Sequence, residues 1–492
     1  MTEYMNLIGG KWVKSQSGRT FPNHNPANQE LVGTFQLSSK KDTDAAVEAA
    51  AEAYKSWRLV PAPKRAEFLY RIGDIMKDQK EELARIETQE MGKILDETRG
   101  DVQEGIDTAY LSAGEGRRLY GDTTPVELPN KVGWSERHPL GVCALITPWN
   151  FPMAIPTWKL FPALVCGNTV VLKPASDTPL SVIKLAEICQ EVGIPDGVVN
   201  VVTGSGGEIG DGLISHPKVR VVSFTGSSEV GRGIAASCGQ TLKRVSLELG
   251  GKNAQIVMDD ADLDLAIEGV LWGAFGTTGQ RCTATSRLIL HKPIKERFTE
   301  MLLPKVKALR LGDGLDEANH VGPLVSERQR ESVHGYVEIG KQEGAEMLCG
   351  GEAYAEGAAA NGWFYKPTVF TNVKRDMRIA QEEIFGPVLS ILEARDFDDA
   401  IDILNDSAYG LSSSIYTQDV NKAFRAIRDI EAGITYVNGP TIGAEVQLPF
   451  GGVKDTGNGH REASHTVLDI FTEWKSVYVD YSGKLQRAQI DA

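Results

Sequence analysis

Residues 141–173, GVCALITPWNFPMAIPTWKLFPALVCGNTVVLK, decide the fold. Two short runs, GVCALIT and NTVVLK, carry apolar residues at successive positions, and PWNFP interrupts the chain before the apolar stretch WKLFPALVC. A strand without a polar face is buried on both sides, and two such strands joined by a helix make a βαβ crossover in a parallel sheet. The joining helix should start near Pro152. The alternation continues: PLSVIKLAEICQEV reads as a helix, GVVNVVT as a strand, GGEIGDGLIS as a short helix, VRVVSF as a strand, SSEVGRGIAASC as a helix and KRVSLEL as a strand. A series of this kind predicts a doubly wound α/β domain of the nucleotide-binding type.

Beyond Gly250 and Gly251 a second series opens with AQIVM, a helix from Asp262, SRLILH and a long helix over 294–311. GPVLSILEA, a helix over 398–404, SSSIYT, a helix over 420–431 and ITYVN follow, predicting a second α/β domain. The Gly- and Ala-rich patch at 350–362 reads as a surface loop. Upstream, residues 5–40 carry the Gly, Pro and Asn punctuation of a hairpin-like arm. From Asp42 to Gly121 the Ala, Glu, Lys and Arg spacing predicts three or more amphipathic helices with solvated charged faces. VGWSERHPL and FTEWKSVYVDY read as strands, and SGKLQRAQIDA is a polar tail.

A chain of 492 residues outgrows one hydrophobic core, so two or three domains are expected. Its 66 acidic and 52 basic residues give a net charge of −14, which repels phosphate backbones and anionic lipid. Small molecules, not nucleic acid or membrane, are the expected partners. Six cysteines without a CxxC pair give neither a disulfide framework nor zinc-ligand spacing. Together with an N-terminus lacking a charged region followed by an apolar one, this reads as a cytoplasmic protein.

Several Gly- and Pro-punctuated segments fall at strand ends, where open α/β sheets bind ligands. They are TPWNFP (147–152), VLKPAS (171–176), FTGS (224–227), LELGGKN (247–253), GQRCT (279–283), EEIFGP (382–387) and LPFGGVKDTGNG (448–459). Cys282 stands among small residues after Gly279, Gln280 and Arg281. Alone it reads first as a small buried hydrophobe, with a nucleophile as the alternative. GSGGEIG (204–210), with Gly206, is the nearest approach to a Rossmann glycine fingerprint.

In this order, and across nearly the whole chain, these segments resemble the aldehyde dehydrogenase superfamily. The resemblance implies two doubly wound parallel-sheet domains plus a small β element. The cofactor domain would span 1–125 and 147–250, the catalytic domain 251–470, and the oligomerisation element 126–146 and 471–492. It also implies a homodimer or homotetramer, for which exposed edges of the two outlying strands would serve.

Residue by residue, the resemblance makes Cys282 the nucleophile, Glu248 the general base and Asn150 an oxyanion-hole donor. Cofactor contacts fall on Trp149, Lys173, Ser176, Gly206, Gly226, Ser227, Leu249, Glu383 and Phe385. Two glycines shortly after Glu248 suggest that a ligand approaches the backbone there. Lys159 matches a lysine lining the family's site but by itself reads as solvated. Glu462 is open between proton handling and structure.

Ser176 stands where NAD-specific members often carry a glutamate. A carboxylate there would repel a 2′-phosphate, so NADP or NAD, with dual use, is expected. VQE (102–104) and NGPTIGAE (438–445) are similar to the antiquitin-like, semialdehyde branch. There Glu104 and Arg281 would help to recognise a carboxylated semialdehyde, and general aliphatic or aromatic aldehydes remain open. No metal is expected. The alternatives are a cysteine amidase or nitrilase, for which the cofactor segments would have no use, and a CoA-acylating dehydrogenase, for which Glu248 would have none. A Cys–His protease-like site lacks a histidine in the segments, and a purely structural protein would not need Cys282, Glu248 and Asn150 together.

Overall fold

The computed structural model describes residues 2–491. The opening stretch forms a strand, Val142–Ile146, a helix, Ala154–Cys166, and a second strand, Thr169–Lys173, paired parallel to the first. They are the centre of a seven-stranded sheet. Val199–Val201, Asn6–Ile8 and Lys11–Val13 continue it on one side, and Val219–Thr225 and Arg244–Glu248 on the other. The N-terminal hairpin joins antiparallel, while the other pairings are parallel. Successive side chains enter opposite layers: Val170 and Leu172 pack with Phe161 and Leu185, whereas Val171 packs with Val47 and Ala144 on the other face. The chain reverses its direction of travel through the sheet at Val142–Ile146, which places a ligand crevice at the carboxyl ends there.

A second seven-stranded sheet runs in the order Glu346–Cys349, Thr368–Thr371, Val388–Ala394, Arg287–His291, Ala254–Val257, Ser412–Tyr416 and Ile434–Val437. Its layers alternate likewise, Ile256 and Ile289 entering one core and Val257 and Leu288 the other. A third, three-stranded sheet pairs Thr472–Asp480 with Lys131–Pro139 over nine residues, and Thr123–Thr124 flanks it. The outer edge of Thr472–Asp480 has no pairing partner among the described residues, and Trp474, Tyr478 and Val479 are exposed on that strand.

Some local expectations need correction. The helix expected over 294–311 is a 3-10 turn, Lys292–Ile294, followed by Lys295–Lys307. GGEIG is a single π-helical turn, Gly206–Gly210, before the short helix Asp211–Ser215. The 350–362 patch is not all surface, because a 3-10 turn at Gly357–Asn361 buries Ala359 against Ala27 and Phe364. The polar helix Glu327–Gln342 and the strands Glu346–Cys349 and Thr368–Thr371 lie in a stretch that the alternation left unread. The charged faces of the upstream helices are only partly solvated: Glu87, Glu90, Lys93, Glu97 and Asp101 are all buried.

Candidate active site

Segments following the carboxyl ends of the first sheet face segments preceding the amino ends of the second. From the first come Pro148 to Asn150, Thr225 to Ser227, and Leu249; from the second come Cys282, Glu383 and Phe385. Two cavities result. An outer cleft of about 230 Å3 is lined by Trp149, Asn150, Gly226, Ser227, Leu249, Cys282, Glu383 and Phe385. An inner cavity of about 100 Å3 is lined by Glu104, Glu248, Arg281, Cys282 and Glu462, with Phe151, Trp158 and Phe450 as aromatic walls. Cys282 belongs to both.

The loop carrying Cys282 is held from several directions. The helix Leu263–Phe275 ends in a turn where Thr277 and Thr278 have φ of 51° and 58°. Left-handed backbone in β-branched residues costs about 1–3 kcal/mol each and persists only where the surroundings fix it. Here the Thr277 N–H donates to Glu97 Oε1 at 2.7 Å and the Thr278 hydroxyl to the Gly322 carbonyl at 2.9 Å. The Val325 N–H donates to Gln280 Oε1 at 3.0 Å. Gly279, at φ +68°, passes so close to Gly386 that a Cβ would lie 2.2 Å from its carbonyl oxygen. From the other side Asn253 Nδ2 donates to the carbonyls of Cys282, 2.7 Å, and Ala284, 3.0 Å.

The glycines after Glu248 serve this same packing. A Cβ at Gly250 would meet a Glu383 oxygen at 2.3 Å, and one at Gly251 the Cys282 carbonyl at 2.5 Å. The protein's own groups thus approach these glycines closely, and Gly250 also lines the outer cleft.

Asn150 is buried, and its amide donates to the Gln280 carbonyl at 3.1 Å, which leaves a second N–H for a ligand. Burial, reinforced by Glu383 and Glu248, pushes the Cys282 thiol up to about 12. Glu248 ends its strand buried, with neither carboxyl oxygen hydrogen-bonded among the described residues. Burial and the neighbouring Glu462 hold its pKa well above the carboxylate range. Lys159 is not solvated, as its sequence context suggested: it is fully buried on the helix Ala154–Cys166, ion-paired with Glu462 and donating to the Ser223 hydroxyl at 3.0 Å.

Arg281 donates through Nε to the Thr277 hydroxyl at 2.8 Å and lies 3.3 Å from Glu97. Its guanidinium also stacks 5.2 Å from the ring centres of Phe151 and Trp272. Burial, with Asp101 nearby, raises Glu104 to about 8 against the pull of Arg281.

The outer cleft suits a nicotinamide dinucleotide. Trp149 and Phe385 meet edge to face, with centroids 5.2 Å apart, as flat walls. Ser227 caps the thirteen-residue helix Ser228–Gln240, whose N-terminal N–H groups favour phosphate, and the buried Thr225 hydroxyl lacks a protein partner. Glu383 is raised by burial to about 7. Lys173, Ser176 and Gly206 line neither cavity. Burial lowers Lys173 to about 8, the Ser176 hydroxyl donates to the Gly204 carbonyl at 3.0 Å, and the space beside Gly206 is open.

Sequence reasoning missed Glu97, Asp101, Lys93 and Asn253. Asp101 pairs with Lys93 at 2.5 Å and accepts the Ala154 N–H at 2.6 Å, while the Lys93 ammonium lies 3.9 Å over the Phe151 ring. A signal was present. Glu97 and Asp101, four apart, fall on the side of their helix that carries Thr98, Val102 and Gly105, so acids stand among core positions.

The aldehyde dehydrogenase family model matches residues 12–477. The chain is 45% identical over 477 residues to alpha-ketoglutaric semialdehyde dehydrogenase of Bacillus subtilis (strain 168), covering 97% of this chain and 98% of the relative. It is 41% identical over 485 residues to phenylacetaldehyde dehydrogenase of Pseudomonas fluorescens, covering 96% and 95%. A crystal structure of betaine aldehyde dehydrogenase from Staphylococcus aureus in complex with NAD+ superposes with a TM-score of 0.96 at 35% identity, covering 98% of this chain and 96% of that one. A match along almost the entire length, on a fold with the same two-sheet architecture, leaves one conclusion: the chain is an enzyme of the aldehyde dehydrogenase family.

Proposed function

We propose that the enzyme oxidises a semialdehyde carrying a distal carboxylate to the acid, using NAD or NADP, through a thioester on Cys282. The observation that carries this reading is the position of Cys282 on both cavities, so that one sulfur can meet an aldehyde from the inner side and a cofactor from the outer. The sulfur adds to the carbonyl carbon, and the free N–H of Asn150 with the Cys282 backbone N–H hold the oxyanion. When bound, the nicotinamide supplies the hydride acceptor and, being cationic, a charge that favours the thiolate. Glu248 then takes a proton from the water that hydrolyses the thioester. Its raised affinity for a proton suits a group that must accept one.

The proton's onward route is the buried chain Glu462, Lys159 and Ser223 beside it. Trp149, Gly226, Ser227, Leu249, Glu383 and Phe385 would hold the nicotinamide half of the cofactor, and Lys173, Ser176 and Gly206 the adenosine half. With no carboxylate at position 176, a 2′-phosphate meets no fixed repulsion.

Arg281 and Glu104 on the inner cavity support the carboxylated substrate, as does similarity to a relative named for alpha-ketoglutaric semialdehyde. The aromatic walls Phe151, Trp158 and Phe450, with the phenylacetaldehyde-named relative, favour a second reading, a neutral aryl aldehyde. Kinetics of Arg281→Ala separate the two. A drop of about tenfold or more in kcat/KM for carboxylated but not aryl aldehydes supports the first, and an unchanged ratio removes it. We also propose that the strand Thr472–Asp480 covers a neighbouring subunit, giving a homodimer or homotetramer, and that the residue ranges 1–125 with 147–250, 251–470, and 126–146 with 471–492 serve cofactor binding, catalysis and assembly, except that Val142–Ile146, central in the first sheet, goes with cofactor binding.

A further inference from the structure

We propose that Lys252 is a positioning residue for Glu383, present to set that carboxylate in the cofactor cleft and not to hold the fold. The inference rests on the reading of Glu383 as a cofactor ligand given above.

Lys252 follows the glycine pair and is fully buried, and its ammonium has no hydrogen-bond partner among the described residues. Lysine is almost never buried without a partner, because an amine taken from water and left unpaired is destabilising. The fold gives no reason for it. Arg287, whose charge the amine feels, uses its guanidinium on the backbone: Nε and Nη2 donate to the Lys252 carbonyl at 3.0 and 2.7 Å.

The charges facing the amine, besides Arg287, are Glu383 and Glu382. Glu382 is already satisfied by Arg378, at 2.7 and 2.9 Å, and by the Tyr336 hydroxyl at 2.9 Å. Among the described residues Glu383 has one donor, the Gly251 N–H at 2.9 Å, and no cation within ion-pair distance. A buried cation lacking an anion and a buried acid lacking a cation thus stand on adjoining segments. The missing Cβ at Gly250 lets the carboxylate lie directly on the backbone that leads into Lys252. Cys282 and Tyr409 are the other titratable groups that feel Glu383, and neither can supply a positive charge. Burial brings the amine down to about 7 and the carboxyl up to about 7, so near neutrality the charge of each depends on the other.

Lys252→Met keeps the chain length and removes the amine; Lys252→Gln is a second, polar variant should the first not fold. Three quantities are read: the thermal unfolding midpoint of the apoenzyme, NAD binding without aldehyde by quenching of tryptophan fluorescence, and steady-state constants. The expected result is a midpoint equal to or above wild type, an NAD Kd and KM raised about tenfold, and an aldehyde KM within about twofold of wild type. A folded variant with unchanged NAD affinity overturns the proposal. So does a lowered midpoint with kcat and both KM values disturbed together, the pattern of a structural lysine. Glu383→Gln separates the two levels: if it leaves NAD affinity unchanged, the reading of Glu383 fails and the proposal falls with it. If Glu383→Gln weakens NAD binding and Lys252→Met does not, only the inference about Lys252 fails.

Discussion

A thiol pushed up to about 12 does not ionise unaided near neutrality, so the proposed mechanism has Cys282 react only once ligands fill the cleft. In the proposed mechanism Asn150 is the fixed donor for the developing oxyanion, and Asn150→Ala should lower kcat by about 10²–10³-fold while leaving NAD affinity unchanged. Stopped-flow measurement of reduced nicotinamide checks both parts. In the proposed mechanism Glu248 sets the pH dependence. Burial favours its neutral form, and a base must be ionised, so single-turnover thioester hydrolysis should accelerate as pH rises from 6 to 9, roughly tenfold per unit at the start. A rate flat over that range would remove Glu248 from the step. At this scale Cys282, Glu248 and Asn150 were legible through the resemblance their segments carry, and all three line the two cavities. Lys159 was not: nothing in WKLFP tells a solvated lysine from one paired with Glu462, some 300 residues away, and only folding brings the two together.

Among elements, the cysteine loop is the part most dependent on distant support. Glu97, on the helix Leu95–Glu115, accepts the Thr277 N–H and faces Arg281, so Glu97→Ala leaves a largely buried cation and an amide without their acceptor. The loss should be about 3 kcal/mol of unfolding free energy, read by urea denaturation. Gly251→Ala would drive a Cβ into the Cys282 carbonyl and displace the proposed nucleophile, lowering kcat by about 10²-fold. The strand and helix alternation was legible here because both faces of each strand are covered, as in VVL at 170–172 or VVSF at 221–224. The helix Glu327–Gln342 was not, because its buried positions are only Val333, Val337 and Gly340 in a polar stretch. The acids Glu97 and Asp101 looked like surface charge because amphipathic helices normally keep acids outside.

For the molecule as a whole, the order of segments made the two-sheet architecture legible. What they hold in common, a cleft joining carboxyl ends of one sheet to amino ends of the other, required the fold. The unpaired strand edge with exposed Trp474, Tyr478 and Val479 predicts a dimer or tetramer by sedimentation at micromolar concentration, and a monomer would contradict it. The absence of a carboxylate at Ser176 predicts NADP turnover of at least about a tenth of that with NAD. The central claim is an acyl group passing through Cys282 and released by Glu248, and the most direct measurement mixes Glu248→Gln rapidly with NAD and excess aldehyde. One equivalent of reduced nicotinamide per active site, followed by arrest and an acyl mass increment on the Cys282 peptide, is the predicted result. Continued turnover at the wild-type rate, or an acyl group on any other residue, would contradict the account.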